Sequence, residues 1–170
     1  RGSAARLVVF NSLSKRSNLP GLRCGFAAGD PKFLANWARL RNLAAPQVPT
    51  PAQAVAAAAY GDEAHVAENR RLYDAKFALA EAALGDVFTR LTPPAGFFLW
   101  LDVSPFGADP EVCRRMWTEA GVRAVPGSYL GGPMPDGTNP GEGFVRIALV
   151  QDEATTEEAL ARLADLFRSR

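Results

Sequence analysis

Short β-branched and aromatic runs alternating with longer amphipathic or alanine-rich stretches predict an α/β chain. Three observations carry this: strand-like runs at residues 7–10, 97–103 and 144–150, helical periodicity between them, and Gly or Pro at most of the joints. Leu7, Val8, Val9 and Phe10 form a continuous apolar run of the kind expected in a fully buried strand. A polar serine-rich turn follows at residues 11–18, and residues 22–28 read as a second strand. Asp30 followed by Pro31 is an N-cap with proline at the first helical position, opening a helix to about Ala45. Pro46, Pro49 and Pro51 break it, and Thr50-Pro51 starts an alanine-rich helix to about Tyr60. Residues 62–84 are helical, with Val66, Leu72, Tyr73, Phe77 and Leu84 recurring at whole turns and Gly85 as the stop. The remainder reads as strand 97–103, helix 109–120, strand 122–125, a Gly/Pro-rich surface loop to residue 143, strand 144–150 and helix 155–167. A domain boundary is expected near residue 48, with a smaller domain after it.

At 170 residues with 48% hydrophobic side chains, the chain has room for a core burying roughly 70% of its unfolded surface. Nineteen Lys and Arg against 18 Asp and Glu leave a net charge of +1, which argues against nucleic acid or an anionic membrane as partner. No apolar run reaches transmembrane length, and residues 7–10 are too short for a signal core. Cys24 and Cys113 are too few for a disulfide framework or a metal site, so a cytoplasmic protein without metal is expected. Arg1, Gly2 and Ser3 read as an artificial boundary.

The chemistry concentrates at one turn. Only Lys15, Lys32 and Lys76 are lysines; every other cation is arginine. Lysine has what arginine lacks, an amine that can deprotonate and attack a carbonyl. Around Lys15 stand Ser12, Ser14 and Ser17 as hydroxyl donors, Arg23 as a guanidinium fork, and Gly21 and Gly25, which permit close backbone approach. A phosphate beside a nucleophilic amine would suit this set, and so would an ordinary exposed turn. The nucleotide-binding pattern G-x-x-x-x-G-K-[ST] is absent.

Ser12-Leu13-Ser14-Lys15 followed by Pro20-Gly21-Leu22-Arg23-Cys24-Gly25 resembles the S-x-S-K-x(5)-G-x-R-x-G signature of class I/II aminotransferases, pyridoxal-phosphate enzymes of fold type I. The stretch from Gly96 to Asp102 resembles their small-domain strand, Val125-Pro126-Gly127-Ser128 their V-x-P-G loop, and Phe144-Val145-Arg146-Ile147 the strand with their substrate-carboxylate arginine. Within the family, residues 12–30 are most similar to the bacterial N-succinyldiaminopimelate aminotransferases.

The resemblance implies that residues 1–48 end a large cofactor domain and that residues 49–170 form an inter-domain helix and the small C-terminal domain. It implies that Lys15 carries pyridoxal 5′-phosphate as an imine and shuttles the substrate's Cα proton, that Ser12, Ser14 and Arg23 hold the phosphate, and that Arg146 grips the substrate carboxylate. The expected reaction moves an amino group from glutamate to N-succinyl-2-amino-6-oxopimelate in lysine biosynthesis, in a homodimer when full length. Family parts that contact the pyridine nitrogen and stack on the ring have no counterpart among these residues, so the chain reads as a C-terminal portion. A β-lyase or decarboxylase on the same scaffold, and a non-catalytic aminotransferase-like module, remain alternatives.

Several other residues carry weaker readings. Alternation puts Phe144, Ala148 and Val150 on the same face as Arg146, which would turn an arginine toward a core. An internal carboxylate partner is the bland alternative to substrate binding. His65 reads as a solvated surface residue without chemistry, Cys24 and Cys113 as packed thiols, and Trp37, Trp100 and Trp117 as core. Tyr129 and the Gly131-Gly132 loop are candidates for approaching substrate.

Overall fold

A computed structural model describes residues 4–45 and 47–169. The artificial boundary read at residues 1–3, and Pro46 among the helix-breaking prolines, lie outside the described residues. The chain divides into two compact units, the first ending at Asn69 and the second beginning at Arg70.

In the first unit, strands β1 (Val8–Ser12) and β2 (Gly25–Gly29) pair antiparallel, with Val8 opposite Gly29 and Ser12 opposite Gly25. Between them lie the one-turn helix α1 (Leu13–Arg16) and a 3-10 turn at Pro20–Leu22. Helix α2 (Pro31–Ala44) starts as expected: the Asp30 carboxylate accepts the N–H groups of Lys32 and Phe33, and Pro31 gives up a donor that has no use there. Helix α3 (Thr50–Gly61) follows. The core here is small. Leu13, Cys24 and Ala56 are buried, with Leu19, Leu22, Val48, Ala59 and Tyr60 packed around them.

The expectation of a fully buried first strand is corrected: Val9 and Phe10 are 51% and 63% exposed. A two-stranded ribbon has no second sheet layer of its own, and Phe10 makes a T-shaped contact with Trp37, ring centroids 5.7 Å apart. The second strand is also shorter than expected, because Leu22 is in the 3-10 turn and Arg23 takes the left-handed conformation at φ 48°.

Helix α4 (Ala64–Leu84) runs through the division between the units. Beyond it, strands β3 (Phe98–Asp102), β4 (Val125–Pro126) and β5 (Phe144–Ala148) form an antiparallel sheet in the order β3-β5-β4. Strand alternation sends Leu99, Leu101, Val145 and Ile147 to one face, all buried. That face belongs to a core with Phe77 and Leu84 of α4, Val112 and Met116 of α5 (Asp109–Ala120), and Leu160, Leu163 and Phe167 of α6 (Glu153–Arg168). Val112, Met116 and Ala120 recur at four-residue spacing, so α5 presents one apolar stripe. Gly121 ends α5 at φ 65°, where its N–H caps the carbonyls of Met116 and Trp117; a side chain there would strain the backbone. Asp152 caps α6 by accepting the Thr155 N–H at 2.7 Å.

Two tryptophan expectations are corrected. Trp100 is 40% exposed and Trp117 is 53% exposed. Trp100 falls on the outer parity of β3, where it stacks on Phe144 at 5.5 Å, and Trp117 lies on the polar side of α5 beneath Arg123. The surface loop after β4 folds back on itself: Met134 N–H donates to Thr138 O, and the Asn139 side chain donates to Ser128 O.

Candidate functional site

Buried nonpolar residues decide where the Lys15 turn sits. Leu13, fully buried, pins the first residue of α1 against Ala56 and Cys24, and the next two side chains, Ser14 and Lys15, then point away from that core. A four-residue helix has too few internal hydrogen bonds to persist alone, so its caps matter. Ser12 supplies the N-cap: its Oγ accepts the Ser14 N–H at 3.2 Å. Ser17 supplies the other end, its N–H donating to Leu13 O at 3.1 Å.

Arg23 comes back to this turn across the 3-10 segment. Its left-handed backbone, uncommon for a residue with a Cβ, lets the guanidinium curl over its own turn; Nη1 donates to Pro20 O at 2.8 Å and to Ser14 Oγ at 3.4 Å. Ser12, Ser14 and Arg23 are thereby linked through hydrogen bonds, with Lys15 exposed beside Ser14. Among the described residues no carboxylate pairs with Arg23, whose other N–H groups remain available to an anion. It lines a surface hollow of about 570 Å³ with Asn11, Phe26, Trp37 and Arg41.

The other two lysines are placed differently. Lys76 is buried and donates to Leu149 O at 3.1 Å, 5.2 Å from the Tyr73 ring centroid, while Lys32 is exposed in the first turn of α2. The linked Ser12, Ser14 and Arg23 lie at the Lys15 turn.

In the second unit, Arg146 lies opposite Trp100 of β3 and Val125 of β4. The expected core-facing orientation is corrected: Val145, Ile147 and Leu149 are the buried residues, and Arg146 stands half-buried on the outer face. Its guanidinium lies 4.7 Å from the Phe98 ring centroid, and no carboxylate pairs with it among the described residues. Trp100 and Phe144 stack on the same face, so the cation is held in an aromatic setting. Gly127 makes this possible, since a Cβ there would come within 2.9 Å of the Trp100 ring and closer still to Gly141 O. The turn and the strand are tied by Asp109, whose buried carboxylate accepts Ser128 N–H at 2.9 Å and Gly143 N–H at 3.2 Å. Burial pushes that carboxyl up, but the Ser128 and Gly143 donors outweigh it and hold it below the usual carboxylate range.

The class I and II aminotransferase pattern matches residues 2–163 of the chain. The chain belongs to this family. It is 34% identical over 163 residues to 4-dedimethylamino-4-oxo-anhydrotetracycline transaminase OxyQ of Streptomyces rimosus, covering 95% of the chain and 43% of that protein. Among solved structures, an aminotransferase from Neisseria meningitidis superposes with a TM-score of 0.89 at 44% identity, covering 98% of this chain and 42% of that one. A probable N-succinyldiaminopimelate aminotransferase from Thermus thermophilus superposes with a TM-score of 0.81 at 32% identity, covering 97% and 43% respectively. The chain therefore spans about two fifths of the length of these relatives. Its fold is that of the fold-type I, pyridoxal-phosphate-dependent enzymes.

The residues at the Lys15 turn fit that cofactor. A phosphate dianion asks for charge-assisted donors, and Ser12, Ser14 and an Arg23 without a carboxylate partner form such a set beside an exposed amine. No cluster of His, Cys, Asp and Glu suited to a metal exists among the described residues. The two thiols are buried, and burial, followed by the nearby Asp109 charge, pushes Cys113 up to about 11, which keeps it an inert core residue.

Sequence reasoning passed over two residues here. Tyr60 donates its hydroxyl hydrogen to Asn11 Oδ1 at 3.3 Å, with Arg16 5.4 Å from its ring centroid. His65 is not a free surface residue: it is half-buried and bridges Asp62 Oδ2 at 2.8 Å and Ser17 Oγ at 2.9 Å. The only sequence signal was the Asp62–His65 spacing of one helical turn; Ser17 lies 48 residues away.

Proposed function

We propose that this chain is the C-terminal portion of a pyridoxal-phosphate-dependent aminotransferase, with residues 1–48 ending the cofactor domain and 49–170 forming the linking helix and small domain. One observation carries the reading: an exposed Lys15 flanked by the linked Ser12, Ser14 and Arg23, in a chain of this family. Bound pyridoxal phosphate supplies the carbonyl that captures amines and the ring that withdraws electrons from the substrate's Cα. Lys15 Nζ would hold the cofactor at rest and, when free, would take the Cα proton and return it at the other end of the exchange. Ser12, Ser14 and Arg23 neutralise the phosphate and fix the distance over which that proton moves. Arg146 receives the α-carboxylate through two parallel hydrogen bonds.

Glutamate as donor and N-succinyl-2-amino-6-oxopimelate as acceptor are the substrates we favour, supported by residues 12–30 and by the Thermus neighbour. A cytoplasmic homodimer is the expected working form. No helix among the described residues is long and apolar enough to cross a membrane. The test is a coupled assay of glutamate with a panel of 2-oxo acids and semialdehydes, using full-length protein. Transfer to the succinylated acceptor, lost in K15A, supports the reading. Release of ammonia or carbon dioxide without amino transfer would replace it with a lyase or decarboxylase.

A further inference from the structure

We propose that His65 is a positioning residue for the Lys15 turn, acting through Ser17 as the central link of a one-way hydrogen-bond relay from Arg16 to Asp62. This rests on the assignment of Lys15 made above. Ser17 is buried, and its Oγ has two partners: Arg16 Nη1 at 3.3 Å and His65 Nε2 at 2.9 Å. A guanidinium can only donate, so Oγ accepts from Arg16. The hydroxyl hydrogen then has one place to go, since Ser17 has no other side-chain hydrogen-bond partner among the described residues. In the relay this hydrogen goes to His65 Nε2 as acceptor, which assigns the ring proton to Nδ1, 2.8 Å from its acceptor Asp62 Oδ2. Asp62 completes the chain by accepting the Ala64 N–H at 2.8 Å, and its carboxyl is held below the usual range, first by the His65 bond and then by that N–H.

The direction matters because such a chain polarises cooperatively and each member fixes the next. Arg16 is fastened as well, to Ala59 O at 2.7 Å, to Asp62 O at 3.4 Å and to the Glu63 carboxylate. The charged group on the ring is thus Asp62, while Arg16, at the other end of the relay, meets the Glu63 carboxylate and the Tyr60 ring. The residue before Lys15 reaches toward Arg23; the two after it are staked to the start of α4. A one-turn helix held only by its ends would transmit the loss of either stake directly to the lysine between them.

The experiment compares full-length wild type with H65A, H65Q and S17A. Nitrogen-15 NMR of the wild-type histidine ring should find the neutral ring protonated on Nδ1, and S17A should release that preference. Reductive attachment of pyridoxal phosphate to Lys15, mapped by peptide mass, should slow roughly five- to tenfold in H65A, the worth of one to two hydrogen bonds. Glutamine can accept from Ser17 and donate to Asp62, so H65Q should recover most of the rate, whereas S17A should resemble H65A. A ring proton on Nε2, wild-type attachment in both H65A and S17A, or an H65Q no better than H65A would overturn the proposal. Failure of wild type to attach cofactor at Lys15 would instead sink the proposed function, while the ring tautomer would still decide whether the relay exists.

Discussion

The unit beginning at Arg70 seats Leu99, Leu101 and Val145 at 0–1% exposure against three helices, whereas the unit ending at Asn69 buries only Leu13, Cys24 and Ala56 in its core cluster. In the first unit polar bonds set the geometry of the functional turn: Ser12 on Ser14, Arg23 on Ser14 and Pro20, Ser17 on His65, Arg16 on Ala59. In the second, packing sets the geometry, and Arg146 rides on a sheet whose other face is core. The lesson is that losing a buried apolar side chain should register as instability in the second unit, whereas losing a polar side chain at the Lys15 turn or at Arg146 should register as lost chemistry.

The sharpest contrast pairs two large apolar residues. Leu101→Ala should cost roughly 2–5 kcal/mol, because it empties a closed core site. Phe10→Ala, in a strand the chain leaves open, should cost about 1 kcal/mol, the worth of its edge contact with Trp37. Urea unfolding of the 170-residue chain measures both, and equal losses would erase the distinction between the units.

Arg146→Lys should leave stability unchanged yet lower kcat/KM for donor and acceptor alike by about 30- to 150-fold, or roughly 2–3 kcal/mol, since the charge stays and the planar fork is lost. Loss in only one half-reaction would reassign Arg146 to a distal group of one substrate. On the other unit, Arg23→Gln should weaken cofactor binding by about 2 kcal/mol, one charge-assisted donor pair, with the midpoint of unfolding of the cofactor-free protein little moved.

The smallest effect tests the tie between the Gly127–Tyr129 turn and β5. The Asp109 carboxyl is lowered in the folded chain, so its contribution is fully present above the ordinary carboxylate range and is lost as pH falls through its folded value. Asp109→Asn keeps one acceptor and turns an amide donor toward another N–H, for a loss of roughly 1–2 kcal/mol at neutral pH. The variant should also lose part of the acid-side decline in stability seen by pH-dependent unfolding. An unchanged acid limb would mean that other carboxylates dominate it.

Much of the fold was legible because caps and stops are local. Asp30-Pro31, Thr50-Pro51 and Gly85 mark the helix ends where the structure has them, and the limits of α5 coincide with residues 109–120 as read. What depends on a second layer was not. An apolar run such as residues 7–10 looks the same whether or not anything covers it. Both parities of β5 are largely apolar, so periodicity alone did not say which face meets the helices; the cost of burying an unpaired guanidinium settles it in favour of Val145 and Ile147. The cluster of Ser12, Ser14, Lys15 and Arg23 was readable because it spans twelve residues, while the link from Ser17 to His65 crosses 48 and has no local signature.

The central claim is that Lys15, and neither other lysine, holds the cofactor. Full-length protein loaded with pyridoxal phosphate, reduced with borohydride and digested should yield one phosphopyridoxyl peptide, containing Lys15, and K15A should yield none. Label on Lys32 or Lys76 in the wild-type protein would contradict the account.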